Sequence, residues 1–139
     1  MKIPPVAVIL AAAGEGRRLG SKLPKALVPL AGRSLFLHSL RTFAALPFVH
    51  EIALVLPPAW VERIRRRHGR RLAALKVTSL VPGGARRQDS VRIGLDSTRS
   101  PLVLVHDAAR PLVTGRAVRA LAAAAARHGA AVLASPAVD

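Results

Sequence analysis

Short apolar runs and helical spacings alternate along the whole chain. Val6 to Ala11 is rich in β-branched residues and bounded by Pro5 and Gly14, the pattern of a parallel strand buried on both faces. Ser34 is placed to cap a helix running to Ala45, in which Leu37, Leu40 and Ala44 recur at helical spacing. Val49 to Leu56 reads as a second strand stopped by Pro57-Pro58, and Trp60 to His68 as a helix. A strand over Lys76 to Val81, a short helix over Asp89 to Leu95 and a strand over Leu102 to Val105 follow. An alanine-rich helix from Thr114 to His128 and a fifth strand from Ala130 to Ala134 complete the pattern. Strands separated by helices predict one α/β domain over residues 1–139, with a mostly parallel sheet. Ligands of such sheets bind beyond the carboxyl ends of the strands, so the loops there are where chemistry is expected.

Composition narrows the function classes. Apolar residues make up 51 % of the 139, too many for a disordered chain. The chain has no cysteine, which excludes disulfide scaffolds, thiolate zinc sites and cysteine nucleophiles. The apolar run Val6 to Ala13 is eight residues, well short of the roughly 18 that span a bilayer, so no membrane partner and a cytoplasmic location are expected. Lysine and arginine number 22 against 7 acids, a net charge of +15 that favours nucleotides, phosphorylated metabolites, nucleic acid or an anionic surface. Six arginines crowd the nine positions from Arg63 to Arg71. Aromatic residues are 3 % of the chain and Trp60 lies outside the run, so base stacking has few candidates and a solvated helix face is the plainer reading.

Three strand-end loops carry the candidate chemistry. The first runs from Leu10 through Ala12, Ala13, Gly14, Gly16, Arg18 and Gly20 to Pro24-Lys25. Its small residues let backbone N–H groups approach a phosphate chain, and Arg18 and Lys25 bring cations to charge developing on a transferring phosphoryl group. The same residues also suit a tight turn with solvated basic side chains. A dinucleotide fingerprint fails twice here: Leu19 stands where its third glycine belongs, and no acid occurs between Glu15 and Glu51 to hold a ribose. The Walker pattern is absent as well. In the second loop, Gly83-Gly84 ends a strand and precedes Asp89 and Ser90. Bare backbone and a hydroxyl there suit a base edge, or simply a loop in which Asp89 or Ser90 caps the next helix. In the third loop, Asp107 is placed to hold Mg²⁺ together with triphosphate oxygens, and Arg110 to clamp an anion. A turn-closing salt bridge between Asp107 and Arg110 is the alternative. His106 reads as a packed, hydrogen-bonded histidine and is given no role.

Taken in order, Ala12-Ala13-Gly14-x-Gly16-x-Arg18-x-Gly20, Pro24-Lys25, Gly83-Gly84-x-x-Arg87-x-x-Ser90-Val91 and His106-Asp107-Ala108-Ala109-Arg110-Pro111 resemble the 2-C-methyl-D-erythritol 4-phosphate cytidylyltransferases of the non-mevalonate isoprenoid pathway. The resemblance covers nearly the whole chain, and the His-Asp-Ala-Ala-Arg-Pro string is its most specific part. It implies a Rossmann-like three-layer sandwich with helices on both faces of the sheet. It also implies transfer of CMP from CTP to a sugar-alcohol phosphate, with release of pyrophosphate and the help of Mg²⁺ or another divalent cation. On this resemblance Arg18 and Lys25 stabilise the pentavalent α-phosphate, and Ala12, Ala13, Gly14 and Gly16 contact the nucleotide. Gly83 also belongs with the nucleotide, Gly84 and Ser90 with cytosine recognition, Asp107 with the metal and ribose, Ala108 with the ribose, and Arg110 with the substrates.

The sequence departs from the family in two respects. Ala85 stands where the family often carries an acid, and family members continue past position 139. The continuation supplies a projecting arm that forms the homodimer, together with a threonine, basic residues and a second aspartate near the acceptor. A 139-residue chain is therefore expected to lack the family dimer and those groups. Three other readings remain beside the principal one: a nucleotidyltransferase for ribitol 5-phosphate or another sugar phosphate, a nucleotide-binding remnant with little turnover, and a basic nucleic-acid-binding domain.

Overall fold

A computed structural model of the protein describes residues 2–14 and 22–137. The elements are β1 (Val6–Ala11), β2 (Pro29–Leu30), β3 (Arg33–Ser34), α1 (Leu35–Ala44), β4 (Val49–Leu56), α2 (Val61–Ala74), β5 (Val77–Pro82), α3 (Arg87–Asp96), β6 (Leu102–Asp107) and α4 (Gly115–His128). Strands β5-β4-β1-β6 form the main sheet in that order, every neighbouring pair parallel. Strands β2 and β3 form a separate antiparallel hairpin. Its two turn residues, Ala31 and Gly32, both have positive φ (51° and 74°), the backbone twist that a two-residue hairpin turn requires.

The pleat sorts the strand side chains between two layers. Val6, Val8 and Leu10 of β1 and Ile52, Leu54 and Leu56 of β4 join one core with Phe36, Leu40 and Phe43 of α1, Ile64 and Leu72 of α2, and Val118 and Ala122 of α4. The alternate positions Ile9 and Val55 face α3, where the absence of a side chain at Gly94 lets the helix sit close against the sheet. Helices thus cover both faces, in the three-layer arrangement expected from the resemblance. Among the described residues no buried side-chain polar atom lacks a hydrogen-bond partner, and no helix is long and apolar enough to cross a membrane.

Two strands, β1 and β4, have the bounds that the sequence pattern gave them. Helix α2 runs beyond His68 to Ala74, because Leu72 docks into the core with 2 % exposure and carries the helix through Gly69. Helix α3 begins at Arg87, with Arg86 at the N-cap, so neither Asp89 nor Ser90 caps it. Asp89 instead accepts the Arg86 backbone N–H (3.1 Å) from the first turn, satisfying a donor the helix leaves open. Ser34 occupies the N-cap of α1 without a side-chain cap bond, whereas Thr114 Oγ1 accepts from the Ala117 N–H (3.2 Å). The expected strand over Ala130 to Ala134 does not form. Gly129, at φ 89°, closes α4 by donating its N–H to the Ala125 carbonyl (2.8 Å), and the following residues pair with no described strand. They instead line an apolar groove of about 910 Å³ along β6, with Val132 and Leu133 exposed. An apolar run becomes a strand only where a partner supplies the ladder, which residue type alone does not specify.

At the amino end of the sheet, Glu51 ties down the loop into β6. One carboxylate oxygen accepts from the Arg99 N–H (2.8 Å), the Ser100 N–H (2.6 Å) and the Ser100 hydroxyl (2.6 Å). Burial works to raise its pKa, but these hydrogen bonds and the Arg99 charge outweigh burial and hold it below the ordinary glutamate value.

Two glycine-to-alanine changes are expected to act in opposite directions. A Cβ at Gly94 falls 2.6 Å from Ile9 Cγ2, a stiff side chain that is fully buried. Overpacking of about 1–3 kcal/mol then exceeds the helix-propensity gain of about 1 kcal/mol. At Gly69 the nearest atom to such a Cβ is Arg65 Cγ at 4.0 Å, so only the propensity gain remains. Urea unfolding of Gly94→Ala and Gly69→Ala checks both signs.

Candidate functional site

The register of three parallel strands builds the floor of the site. Ala11 at the end of β1 lies opposite Val55 on one side and Asp107 on the other. Two further bonds extend the alignment: the Ala12 N–H donates to the Val55 carbonyl (2.8 Å), and the Ala108 N–H to the Ala11 carbonyl (2.9 Å). Because β6 continues to Asp107, this carboxylate is a strand-end side chain and not a loop residue.

Two hollows open above this floor. The larger, about 510 Å³, is lined by Ala13, Gly14, Gly84, Arg87, Ser90 and Asp107 among others; the smaller, about 130 Å³, by Ala12, Gly14, Lys25 and Asp107 among others. They share Ala11, Gly14 and Asp107, so Lys25, Ser90 and Asp107 border one continuous depression. Lys25 arrives there on a single 3-10 turn, Lys25–Leu27, set by Pro24 and closed by the Leu27 N–H bond to the Pro24 carbonyl (2.9 Å). Ala26 and Leu27 are buried and anchor the turn, which leaves Lys25 at the exposed rim.

The second loop is held by its glycines. A Cβ on Gly83 would collide with the Ala13 methyl and approach Ser90 Oγ to 2.8 Å, and one on Gly84 would lie 2.5 Å from Asp89 Cβ. Ser90, 4 % exposed, accepts the Gly84 N–H on its hydroxyl oxygen (3.1 Å) and keeps its own proton to donate. Arg86 is consumed by Asp89 through two side-chain bonds of 3.0 Å, which hold the Asp89 pKa down. Arg87 borders the larger hollow and has no carboxylate partner among the described residues.

Several expected site residues stand elsewhere. Arg18 and Gly16 lie outside the described residues. Gly83 packs behind the hollow and does not line it, and Ala108 is fully buried with its N–H given to Ala11. Arg110 lines the groove beside β6; its Nε is 3.9 Å from Asp107 Oδ2, and both side chains are largely exposed, a contact of little energetic weight. Conversely, Arg87 and the Pro57-Pro58 pair border the larger hollow without having been singled out as site residues. The spacing Gly83-Gly84-x-x-Arg87 was the available signal for Arg87; nothing local marks the prolines.

Behind Asp107, His106 packs edge-on against Phe43 (centroids 5.0 Å apart) and its Nε2 is 2.9 Å from the Arg110 carbonyl oxygen. Burial pushes its pKa below the ordinary histidine value of 6.5, against the opposing pull of the Arg110 carbonyl and Asp107. His68 is depressed in the same direction, first by burial and then by Arg67 and Arg71. A histidine depressed in the folded state leaves the unfolded chain as the better proton acceptor. Stability is therefore held above about pH 6.5 and falls as pH drops toward the folded values. Chemical denaturation between about pH 7 and about pH 5 checks this, and His106→Gln is expected to flatten part of the decline.

Comparison with known proteins gives the family and the fold. The family model described as 2-C-methyl-D-erythritol 4-phosphate cytidylyltransferase matches residues 6–139. The chain is 43 % identical over 137 residues to the protein of that name from Symbiobacterium thermophilum, covering 97 % of this chain and 56 % of the relative. It is 39 % identical to that from Chlamydia pneumoniae, covering 93 % and 57 %. The crystal structure of the Thermus thermophilus enzyme superposes with a TM-score of 0.68 at 34 % identity, over 90 % of this chain and 51 % of the other. The chain thus spans about half the length of the relatives it matches.

Proposed function

The chain belongs to the 2-C-methyl-D-erythritol 4-phosphate cytidylyltransferase family, and from that premise we propose that it binds CTP across its strand ends and transfers CMP to 2-C-methyl-D-erythritol 4-phosphate. The observation that carries this reading is the shared depression bordered by Lys25, Ser90 and Asp107, which come from a 3-10 turn, the first turn of α3 and the end of β6. In the reaction an acceptor phosphate oxygen attacks the α-phosphorus of CTP. A new phosphorus–oxygen bond forms, the α–β bridging bond breaks, and pyrophosphate leaves with its electrons. No protein nucleophile is needed, since such transfers depend on positioning and on cations facing the growing charge.

Each residue has a task in this scheme. Small side chains at Ala12, Ala13 and Gly14 admit the triphosphate close to the backbone. The Ser90 hydroxyl, its oxygen fixed by the Gly84 N–H, offers its proton to an acceptor on the base edge. Lys25 supplies positive charge at the α-phosphate from the rim of the smaller hollow. Arg87 adds a second cation to the hollow that takes the nucleotide.

The donor set also fits a divalent cation that arrives with its nucleotide. Among the described residues no cluster of three histidine or acidic ligands exists, so a self-sufficient metal cage is not in prospect. Asp107 is the one carboxylate among the described residues that borders the depression, and Mg²⁺ characteristically takes one or two carboxylates with phosphate oxygens and water. When bound, the cation would neutralise triphosphate charge and fix its geometry; Asp107 is the residue that would hold it.

Calorimetric titration with CTP, with and without Mg²⁺, together with pyrophosphate release on adding 2-C-methyl-D-erythritol 4-phosphate, tests the reading. Asp107→Asn is expected to remove most of the Mg²⁺ dependence of CTP binding. Lys25→Ala is expected to lower the rate of release about 10²–10³-fold with little change in CTP affinity. An equal loss of rate and affinity in Lys25→Ala contradicts the role given to it.

A further inference from the structure

Helix α2 divides its arginines between two faces. Glu62 takes Arg65 (2.6 Å) and Arg66 (3.3 Å) on the outer face. Arg63, Arg67 and Arg71 recur every fourth residue, a spacing that stacks side chains along one stripe. This second stripe forms a wall of a cleft of about 620 Å³ between α2 and the β2–β3 hairpin, which contributes Arg33 to the same cleft. None of these four guanidinium groups pairs with a carboxylate among the described residues. Like charges one helical turn apart repel, so the stripe is a standing cost unless an anion neutralises it.

The cleft is more than a charged surface. Its floor is apolar, with Leu27, Leu37 and Ile64 all buried. Arg63 is stacked on the Trp60 ring, its guanidinium carbon 4.9 Å from the ring centroid, which restrains where that cation points. His68, on the same wall, has its pKa lowered first by burial and then by Arg67 and Arg71. The volume lies within the range of small-molecule sites. A single strand of nucleic acid is less well served, because Trp60 is the only Trp, Tyr or Phe among the described lining residues and Arg63 is stacked on it, so successive bases have no run of rings to stack on.

We propose that the cleft between α2 and the β2–β3 hairpin is a second anion site, which takes a small phosphate monoester with an apolar or ring-bearing remainder. Arg33, Arg67 and Arg71 hold the phosphate, and the apolar floor takes the remainder. Among the described residues the site shares no lining residue with the depression that contains Asp107. It does back onto the same single turn, since Leu27 lies in its wall while Lys25 borders the smaller hollow.

The chain reports on this cleft itself, because Trp60 is its sole tryptophan and it contains no tyrosine. Phenyl phosphate is titrated into the full chain at constant ionic strength while Trp60 fluorescence is followed. A saturable change is expected, weakened about tenfold or more in Arg67→Ala and in Arg33→Ala, since each removes a charge-assisted hydrogen bond. The two variants lie on different elements, and their thermal unfolding is compared with that of the parent chain. Arg63 is left in place because it touches the fluorophore. Lys25→Ala is expected to bind phenyl phosphate as the parent does. An absent or unsaturable response, unchanged affinity in both arginine variants, or a loss in Lys25→Ala overturns the proposal. So does a single-stranded oligonucleotide that gives the arginine-dependent response when phenyl phosphate gives none.

Discussion

The register of β1 between β4 and β6 is the constraint on which the site depends. Parallel strands aligned at Ala11, Val55 and Asp107, with β5 joined to β4 through the Leu56–Pro82 pair, deliver the loops after β1, β5 and β6 to one end of the sheet without any loop having to find the others. The Ala12 and Ala108 amides continue the ladder by one bond on each side, so the first residues of two loops are still part of the sheet. A slip of one residue in β6 would turn Asp107 to the opposite face, because side chains alternate along a strand. The buried set on β1 and β4 prevents such slippage: Val8, Leu10, Ile52 and Leu54 have no exposure, and their register is fixed by what lies above and below the sheet.

On that floor the glycines of the second loop act through space and not through flexibility. Gly83 leaves the room in which Ala13 and Ser90 meet, and Gly84 gives its N–H to Ser90 beside Asp89. Asp89 in turn is fixed by Arg86, so the carboxylate beside the loop serves helix α3 and not a ligand. Among the described residues, what remains open to a nucleotide is a small set of groups: the Ser90 hydroxyl proton, Arg87, Lys25 and Asp107. The same economy appears behind the site, where His106 serves packing and a turn carbonyl.

The net charge of +15 has no single address. Some of it is spent locally, as in the pairs of Glu62 with Arg65 and Arg66 and of Asp89 with Arg86. Lys25 and Arg87 face the strand-end depression, and four further arginines face the cleft beside α2. One helix therefore carries both a solvated, internally paired face and a concave, unpaired one. A count of arginines along the chain cannot separate the two, because the separation depends on which side of α2 turns inward with Ile64 and Leu72.

The sequence by itself determined the alternation of strands and helices, the bounds of β1 and β4, and the loops in which chemistry resides. Those features are written in local pattern: β-branched runs between breakers, apolar residues at helical spacing, and glycines beside basic residues. Only the tertiary structure decided which members of those loops reach the depression. Ala108 and Gly83 sit in the right strings but are turned into packing, Arg110 is turned toward the groove beside β6, and Arg87 is brought in. It also decided that Ala130 to Ala134 would not be a strand and that α2 would run on to Ala74. Both outcomes rest on partners distant in sequence: a strand needs a neighbour to complete its hydrogen bonds, and a helix extends where a residue such as Leu72 finds a core to enter.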